Sequence, residues 1–269
     1  MAPKVALVDP VLGPLTDDLL TRDVRVYQRA KGHRFSSDDV VTAYVAYGAA
    51  PHAKRVLDLG CGLGSVLLQL AWKMPEAELL GIEAQSMSFE LLQRNVARSG
   101  FGPRVRVVHG DLREPLTGCD ADERFELVSG TPPYFPAHTA LDAEDEQRSR
   151  ARVEYRGGIE AYVEAGERLL DAQGTLVLCG DARADERANK AAREVGLVVR
   201  ERVDVVPRAG RPALFAVWVF RHDPGPLELR SMTLRTAAGE PSADAARLRQ
   251  FGGFPERSSG ADAGERPRG

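Results

Sequence analysis

Long apolar runs are missing from this chain of 269 residues. The longest, Ala213 to Phe220, falls well short of the roughly 20 residues a bilayer-spanning helix needs. Met1 to Pro10 also lack the apolar stretch of a secretory leader. Cysteine is scarce. Cys61, Cys119 and Cys179 lie far apart, no pair has metal-ligand spacing, and an odd count does not make a secreted disulfide framework. Nor does one sign of charge dominate. Lys and Arg number 36 against 39 Asp and Glu, a formal net charge of −3, which excludes a uniformly basic nucleic-acid coat but leaves room for local basic patches. Together these absences predict a soluble, cytoplasmic, metal-free protein with no membrane partner. Apolar residues at 43% suffice for a full hydrophobic core.

What is present is a regular alternation. Arg55–Leu59, Glu78–Glu83, Val105–His109, Phe125–Ser129 and Thr175–Cys179 read as short buried strands. Between them, Leu63, Val66, Leu67, Leu70 and Met74 share one helical face that Pro75 terminates. Met87, Leu91, Leu92 and Val96 line a second helix with Gly100 as its cap, and Ile159 to Leu170 and Asp185 to Glu194 give two more. Leu197–Val206 and Leu214–Phe220, joined by the Pro207–Pro212 turn, predict an antiparallel hairpin. The expected fold is α/β: a seven-stranded mixed sheet ending in that hairpin, with helices on both faces.

This core is expected over 51–222. Before it, residues 1–50 hold two β-like pieces, Asp23–Gln28 and His33–Phe35, around the turn Ala30 to Gly32. A helix follows, carrying Val40, Val41, Tyr44 and Val45 on one side, and the segment reads as a substrate or cofactor lid. After the core, 223–251 predicts a strand, Leu227–Leu234, and a short helix past Ser242. Residues 252–269, with Phe254 the only large apolar side chain, predict a disordered tail.

The sharpest local signal is Asp58-Leu-Gly60-Cys61-Gly62-Leu-Gly64, set between a strand and a helix. Glycines let the backbone turn tightly and approach a ligand with no Cβ in the way. The third glycine comes one residue too early for a dinucleotide fingerprint. The spacing and the preceding acid favour S-adenosylmethionine, whose ammonium group Asp58 can attract. Glu83 at the end of the second strand can accept both ribose hydroxyls. Asp111 after the third strand can accept from the adenine amino group. Cys61 reads as a small space-filler, and Trp72 and Trp218 read as core.

After the fourth strand comes Thr131-Pro132-Pro133-Tyr134-Phe135. Here the chain resembles class I methyltransferases bearing an (Asn/Asp/Ser)-Pro-Pro-(Tyr/Phe) motif, which methylate nitrogens conjugated to a π-system. Within that set it resembles the bacterial valine-tRNA adenine-N6 methyltransferases over about residues 20 to 250. The segment Tyr27 to Asp38, Phe135 after the Pro-Pro-Tyr, the basic stretch Gln147 to Arg152, and Leu227 to Phe251 carry this likeness. The resemblance implies a Rossmann-like fold and S-adenosylmethionine as cofactor, with Thr131, Pro132, Pro133 and Tyr134 positioning the acceptor. It implies cofactor contacts from Ser37, Asp38, Asp58, Gly60, Cys61, Gly62, Gly64, Glu83, Ala84, Asp111, Leu112 and Thr131. Tyr134, Phe135, Arg34, Arg150 and Arg152 are then the substrate contacts, and tRNA the partner. The chain departs from the tRNA family at Thr131, where that family has Asn. A hydroxyl still accepts a hydrogen bond but is shorter than an amide. A protein amide or a planar small molecule therefore stands as an alternative acceptor, and a non-catalytic cofactor- or RNA-binding module as an alternative of another class.

Two arginine clusters flank the expected site: Arg22, Arg25, Arg29, Lys31 and Arg34 in the N-terminal segment, and Arg148, Arg150, Arg152 and Arg156 after the proline motif. Phosphate contacts need such clusters, and a solvated charged surface looks the same in sequence.

Overall fold

The structure, a computed structural model, describes residues 4–114, 122–134 and 157–255. Phe135, Arg150 and Arg152, with the rest of the second arginine cluster and Cys119, lie outside the described residues.

A small antiparallel sheet comes first: β1 (Val5–Asp9), β2 (Gly13–Leu19) and β3 (Arg25–Arg29), in that order. Asp9 makes the β1–β2 turn, its Oδ1 accepting from the amides of Leu12 at 2.8 Å and Val11 at 2.9 Å. The expected hairpin between Asp23–Gln28 and His33–Phe35 is not formed. β3 pairs with β2 instead, and His33–Phe35 is not a strand. The Gln28 side chain accepts from the Phe35 amide at 2.8 Å, so a side chain takes the bond a strand partner would have made. Leu15 and Val26 are fully buried, which ties β2 and β3 to the core through their inward residues.

Helix α1 (Ser37–Ala49) follows. Asp39, three residues after Ser36, reaches back to accept from the Ser36 amide at 2.8 Å and closes a capping box. The core then alternates as expected: β4 (Arg55–Leu59), α2 (Ser65–Lys73), β5 (Glu78–Glu83), α3 (Ser86–Ser99), β6 (Val105–His109), β7 (Phe125–Gly130), α4 (Ile159–Leu169), β8 (Leu170–Asp181), α5 (Asp185–Glu194), β9 (Val198–Val206), β10 (Phe215–Arg221), β11 (Glu228–Thr233) and α6 (Ala243–Phe251). Gly100 ends α3 in the left-handed conformation, as its placement predicts.

The large sheet runs β11-β9-β10-β8-β7-β4-β5-β6. β4 to β8 are parallel, and β10 lies antiparallel to both β8 and β9. It has eight strands where seven were expected. β11 joins β9 in parallel and covers that edge, held by the buried Met232 and by the Thr233 amide, which donates to Asp244 at 2.8 Å. α1, α2 and α3 contribute to the apolar cluster on one face, and α4 and α5 to that on the other. Trp218 is fully buried. Trp72 is half-buried, its indole donating to Asp23 at 3.1 Å.

From β4 the chain steps outward to β5 and β6, then returns to β7 on the other side of β4. A doubly wound sheet opens a crevice at such a reversal, beyond the carboxyl ends of its strands.

Candidate functional site

A cleft of about 1000 Å³, counting its open mouth, lies at that point. The loop after β4 forms its floor. Gly60 and Gly62 adopt φ of +59° and +57°, a conformation glycine takes without strain. At Gly60 space is as decisive as conformation. A Cβ there would stand 2.1 Å from the Tyr162 hydroxyl, which α4 presses against the loop. The Gly62 amide donates to Glu83 Oε2 at 2.8 Å, and the Gln85 amide to Glu83 Oε1 at 2.6 Å. The end of β5 thus fixes the loop through one carboxylate, while Glu83 still lines the cleft.

Several expected cofactor residues line this one cavity: Gly60, Cys61, Gly62, Glu83, Ala84, Asp111, Leu112 and Thr131. Asp111 also takes the Arg113 guanidinium on both oxygens, at 2.9 and 2.7 Å. Gly64 is not in the lining. It starts α2 at φ +94°, packed so closely that a Cβ would reach within 2.8 Å of Leu92.

Asp58 lies beneath the glycine loop. It is 1% exposed and absent from the cleft lining. Its Oδ1 accepts from the Ser129 hydroxyl at 2.7 Å and its Oδ2 from the Leu67 amide in the first turn of α2 at 3.1 Å. A carboxylate there complements the positive end of the helix. It holds β4, β7 and α2 together beneath the loop, and burial pushes its pKa up to about 7.

Asp39, which no sequence motif singled out beside Ser37 and Asp38, lines the cleft along with Glu83 and Asp111. Ser37 and Asp38 do not line the cavity. Ser65 donates to Asp39 Oδ1 at 2.7 Å. Burial raises the Asp39 carboxyl well above the ordinary range, and neighbouring Asp38 adds to the rise. The legible signal for Asp39 was its capping-box spacing from Ser36. Phe35 packs on the core and lines the cleft as well. His33, Ser65, Gln85, Ser88 and Tyr162 line it too, and Leu63, Ile82, Gly110 and Gly157 complete it.

On the acceptor side Thr131 and Pro133 line the cleft, whereas Pro132 is buried. Tyr134 is turned toward α1. Its hydroxyl donates to Asp38 at 3.2 Å and meets the Cys179 thiol. Burial raises both the phenol and the thiol far above their usual values. Cys61 is a buried filler, its thiol also raised by burial. His109 stacks on Phe89 with ring centroids 4.8 Å apart.

Arg34 is committed to the small sheet, donating to Thr16 at 2.7 Å and Asp18 at 2.9 Å. Arg25 pairs with Asp17 and Arg22 with Asp23. Much of the N-terminal arginine cluster is thus neutralised by acids that its own sheet brings alongside. Among the described residues no cluster could hold a metal ion, and no helix is long and apolar enough to cross a membrane.

The cleft fits the cofactor expected from the sequence. Its floor is a cradle that a Cβ would fill, and Glu83, Asp111 and Asp39 place carboxylates against a ligand rich in hydroxyl, amino and ammonium donors.

Comparison with known proteins agrees. A family described as a methyltransferase domain matches residues 56–140. The chain is 35% identical over 126 residues to a tRNA1(Val) (adenine(37)-N6)-methyltransferase of Porphyromonas gingivalis, covering 46% of this chain and 49% of that one. It is 30% identical over 206 residues to the protein of the same name from Erwinia tasmaniensis, covering 76% of this chain and 82% of that one. The match thus spans about half the length of the first relative and most of the second. A crystal structure described as a predicted O-methyltransferase from Agrobacterium tumefaciens superposes with a TM-score of 0.58 at 18% identity, over 82% of this chain and 99% of that one. That likeness concerns the fold.

Proposed function

We propose that this chain, which belongs to the class I S-adenosylmethionine-dependent methyltransferases and within them to the tRNA1(Val) (adenine(37)-N6)-methyltransferase family, methylates the exocyclic N6 of an adenine in tRNA. One observation carries the reading. Thr131 and Pro133 line the same cleft as Gly60, Gly62, Glu83 and Asp111, so acceptor loop and cofactor cradle share one cavity.

S-adenosylmethionine supplies an electrophilic methyl group. Glu83 is the acceptor for its ribose hydroxyls, Asp111 lies toward its adenine, and Asp39 replaces Asp58 as the acid offered to its ammonium. The adenine N6 is a poor nucleophile because its lone pair is delocalised into the ring. The Thr131 hydroxyl and the Pro132 carbonyl accept from the NH₂ and so localise that pair. Two consecutive prolines hold both acceptors still, and positioning governs a transfer of this kind.

The test is incubation of the full chain with bulk tRNA and methyl-labelled S-adenosylmethionine, then nuclease digestion and mass spectrometry. N6-methyladenosine is the expected product, and Thr131→Asn is expected to retain or increase it. Label confined to protein or small molecules would overturn the reading.

A further inference from the structure

Arg25 and Arg34 in the N-terminal segment have carboxylate partners, whereas three arginines toward the other end of the chain, Arg208, Arg211 and Arg235, have none among the described residues. β8 ends at Asp181, which pairs with Phe215 at the start of β10. Val205 near the end of β9 pairs with Phe215 too, and Thr233 at the end of β11 pairs with Val206. The 207–214 turn and the 234–242 loop therefore lie at the same end of the sheet as the cleft. With strands about 4.8 Å apart, the turn is roughly 10 to 15 Å from the end of β7, where the Thr131–Tyr134 loop begins.

These two segments are joined. The Ala209 amide donates to the Arg235 carbonyl at 2.8 Å, and the Leu234 amide to that of Val206 at 2.9 Å. They carry Arg208, Arg211 and Arg235, all exposed. Arg235 donates to the Gly239 carbonyl at 2.9 Å. The Arg208 guanidinium lies over the same glycine, where a Cβ would come within 2.9 Å of it. Two guanidinium groups thus converge on Gly239. Among the described residues no carboxylate lies within ion-pair distance of Arg208, Arg211 or Arg235, and the one acid in the two segments, Glu240, pairs with none of them.

Nearby arginines at this end are answered. Arg183 pairs with Asp181 and Arg202 with Asp185 and Asp204. Like charges held together without a counter-charge repel, and a polyanion relieves that repulsion while releasing its own condensed cations.

We infer that Arg208, Arg211 and Arg235 form a docking ledge for the phosphate backbone of the tRNA substrate, seating the strand beside the cleft while the target base enters it. The ledge rests on the tRNA reading above and names where the RNA is gripped. Phosphate contacts orient a nucleic acid without reading its sequence, so the ledge contributes affinity and register, and base choice stays with the Thr131 loop.

The experiment is binding of fluorescently labelled tRNA to the full chain across a salt series, with S-adenosylmethionine affinity measured alongside as a check on folding. R208Q/R211Q/R235Q is expected to weaken tRNA binding about ten- to hundredfold near physiological salt. It is also expected to flatten the slope of log affinity against log salt by about two to three units. S-adenosylmethionine affinity is expected to be unchanged. The corresponding lysine variant should keep most of the slope, and Arg25→Gln, in the answered N-terminal cluster, all of it. A triple glutamine variant that binds cofactor and keeps the wild-type tRNA affinity and slope overturns the ledge. So does a wild-type chain that does not bind tRNA. Ledge-dependent binding without methylation of the RNA supports the ledge and overturns the methylation reading alone.

Discussion

The loop after β4 and the loop after β7 leave neighbouring strands at the same end of the sheet, yet they hold their shapes by opposite means. The first is made of glycines. Its conformation is open to glycine alone in part, and its rigidity comes from what fills the missing side chains: Tyr162 over Gly60, Leu92 over Gly64, and the Glu83 carboxylate on the Gly62 amide. The second is made of prolines, which bring their own rigidity, and it is fastened at one end by the Tyr134 hydroxyl to Asp38 on α1. The first loop is backbone and carboxylate packed from all sides. The second is a stiff strap whose aim depends on a helix outside the alternating β4–β10 core.

The largest test of that difference is Gly60→Ala. The new Cβ collides with Tyr162 at a backbone conformation that alanine resists, so cofactor affinity by calorimetry should fall at least about a hundredfold. Adding Tyr162→Phe removes the colliding oxygen and should restore part of the loss. Wild-type affinity in Gly60→Ala alone would mean the loop is not close-packed.

Next comes Glu83→Gln. Charge-assisted hydrogen bonds are worth about 1.5–3 kcal/mol, so cofactor affinity should drop roughly ten- to hundredfold. An unchanged dissociation constant would show that the carboxylate only shapes the loop.

Asp39 stands next to Asp38 on α1 and accepts from Ser65 at the start of α2, and its signature is pH. In the folded chain its pKa is raised, so the native state binds the proton more tightly than the unfolded one. Its contribution to stability is intact below the ordinary carboxylate range and is lost as pH climbs through the raised value. Asp58 behaves in the same way between about 4 and 7. A cationic ligand favours the ionised form. Cofactor affinity should therefore tighten as pH rises across that window in the wild type and stay flat in Asp39→Asn. Parallel pH profiles for the two proteins would remove Asp39 from the ligand's surroundings.

The smallest effect belongs to Tyr134→Phe. The ring stays and the hydroxyl's contacts with Asp38 and the Cys179 thiol go. Cofactor affinity should stay within about twofold, and the methyl-transfer rate should fall about three- to tenfold, equivalent to roughly 1 kcal/mol of positioning. Equal losses in both would show that the strap also supports the cradle.

Much of this site was legible because its parts are local. Glycines at Gly60, Gly62 and Gly64 after a buried strand announce a backbone cradle, and an acid at the end of the next strand, Glu83, faces the same crevice by topology. The burial of Asp58 was not legible: Ser129, 71 residues on, supplies one of its hydrogen bonds and meets it only when β4 and β7 pair. Asp39 was passed over because its spacing from Ser36 reads as a capping box and says nothing of the cavity it also lines. In the small N-terminal sheet β3 was legible as Asp23–Gln28, but its partner was not: β2 pairs with it, and Gln28 bonds Phe35 only through its side chain.

Periodicity and turn chemistry by themselves determined the alternating core, the order of its elements and the glycine and proline loops, since these depend on residues within a few positions of one another. The tertiary structure alone decided that Asp39 lines the cleft while Asp58 is buried beneath it, and that Tyr134 reaches Asp38. It also decided that Arg25 and Arg34 are answered while Arg208, Arg211 and Arg235 are not. Charge and burial act through space: a carboxylate's role is set by what surrounds it, and those surroundings are assembled only when distant segments meet.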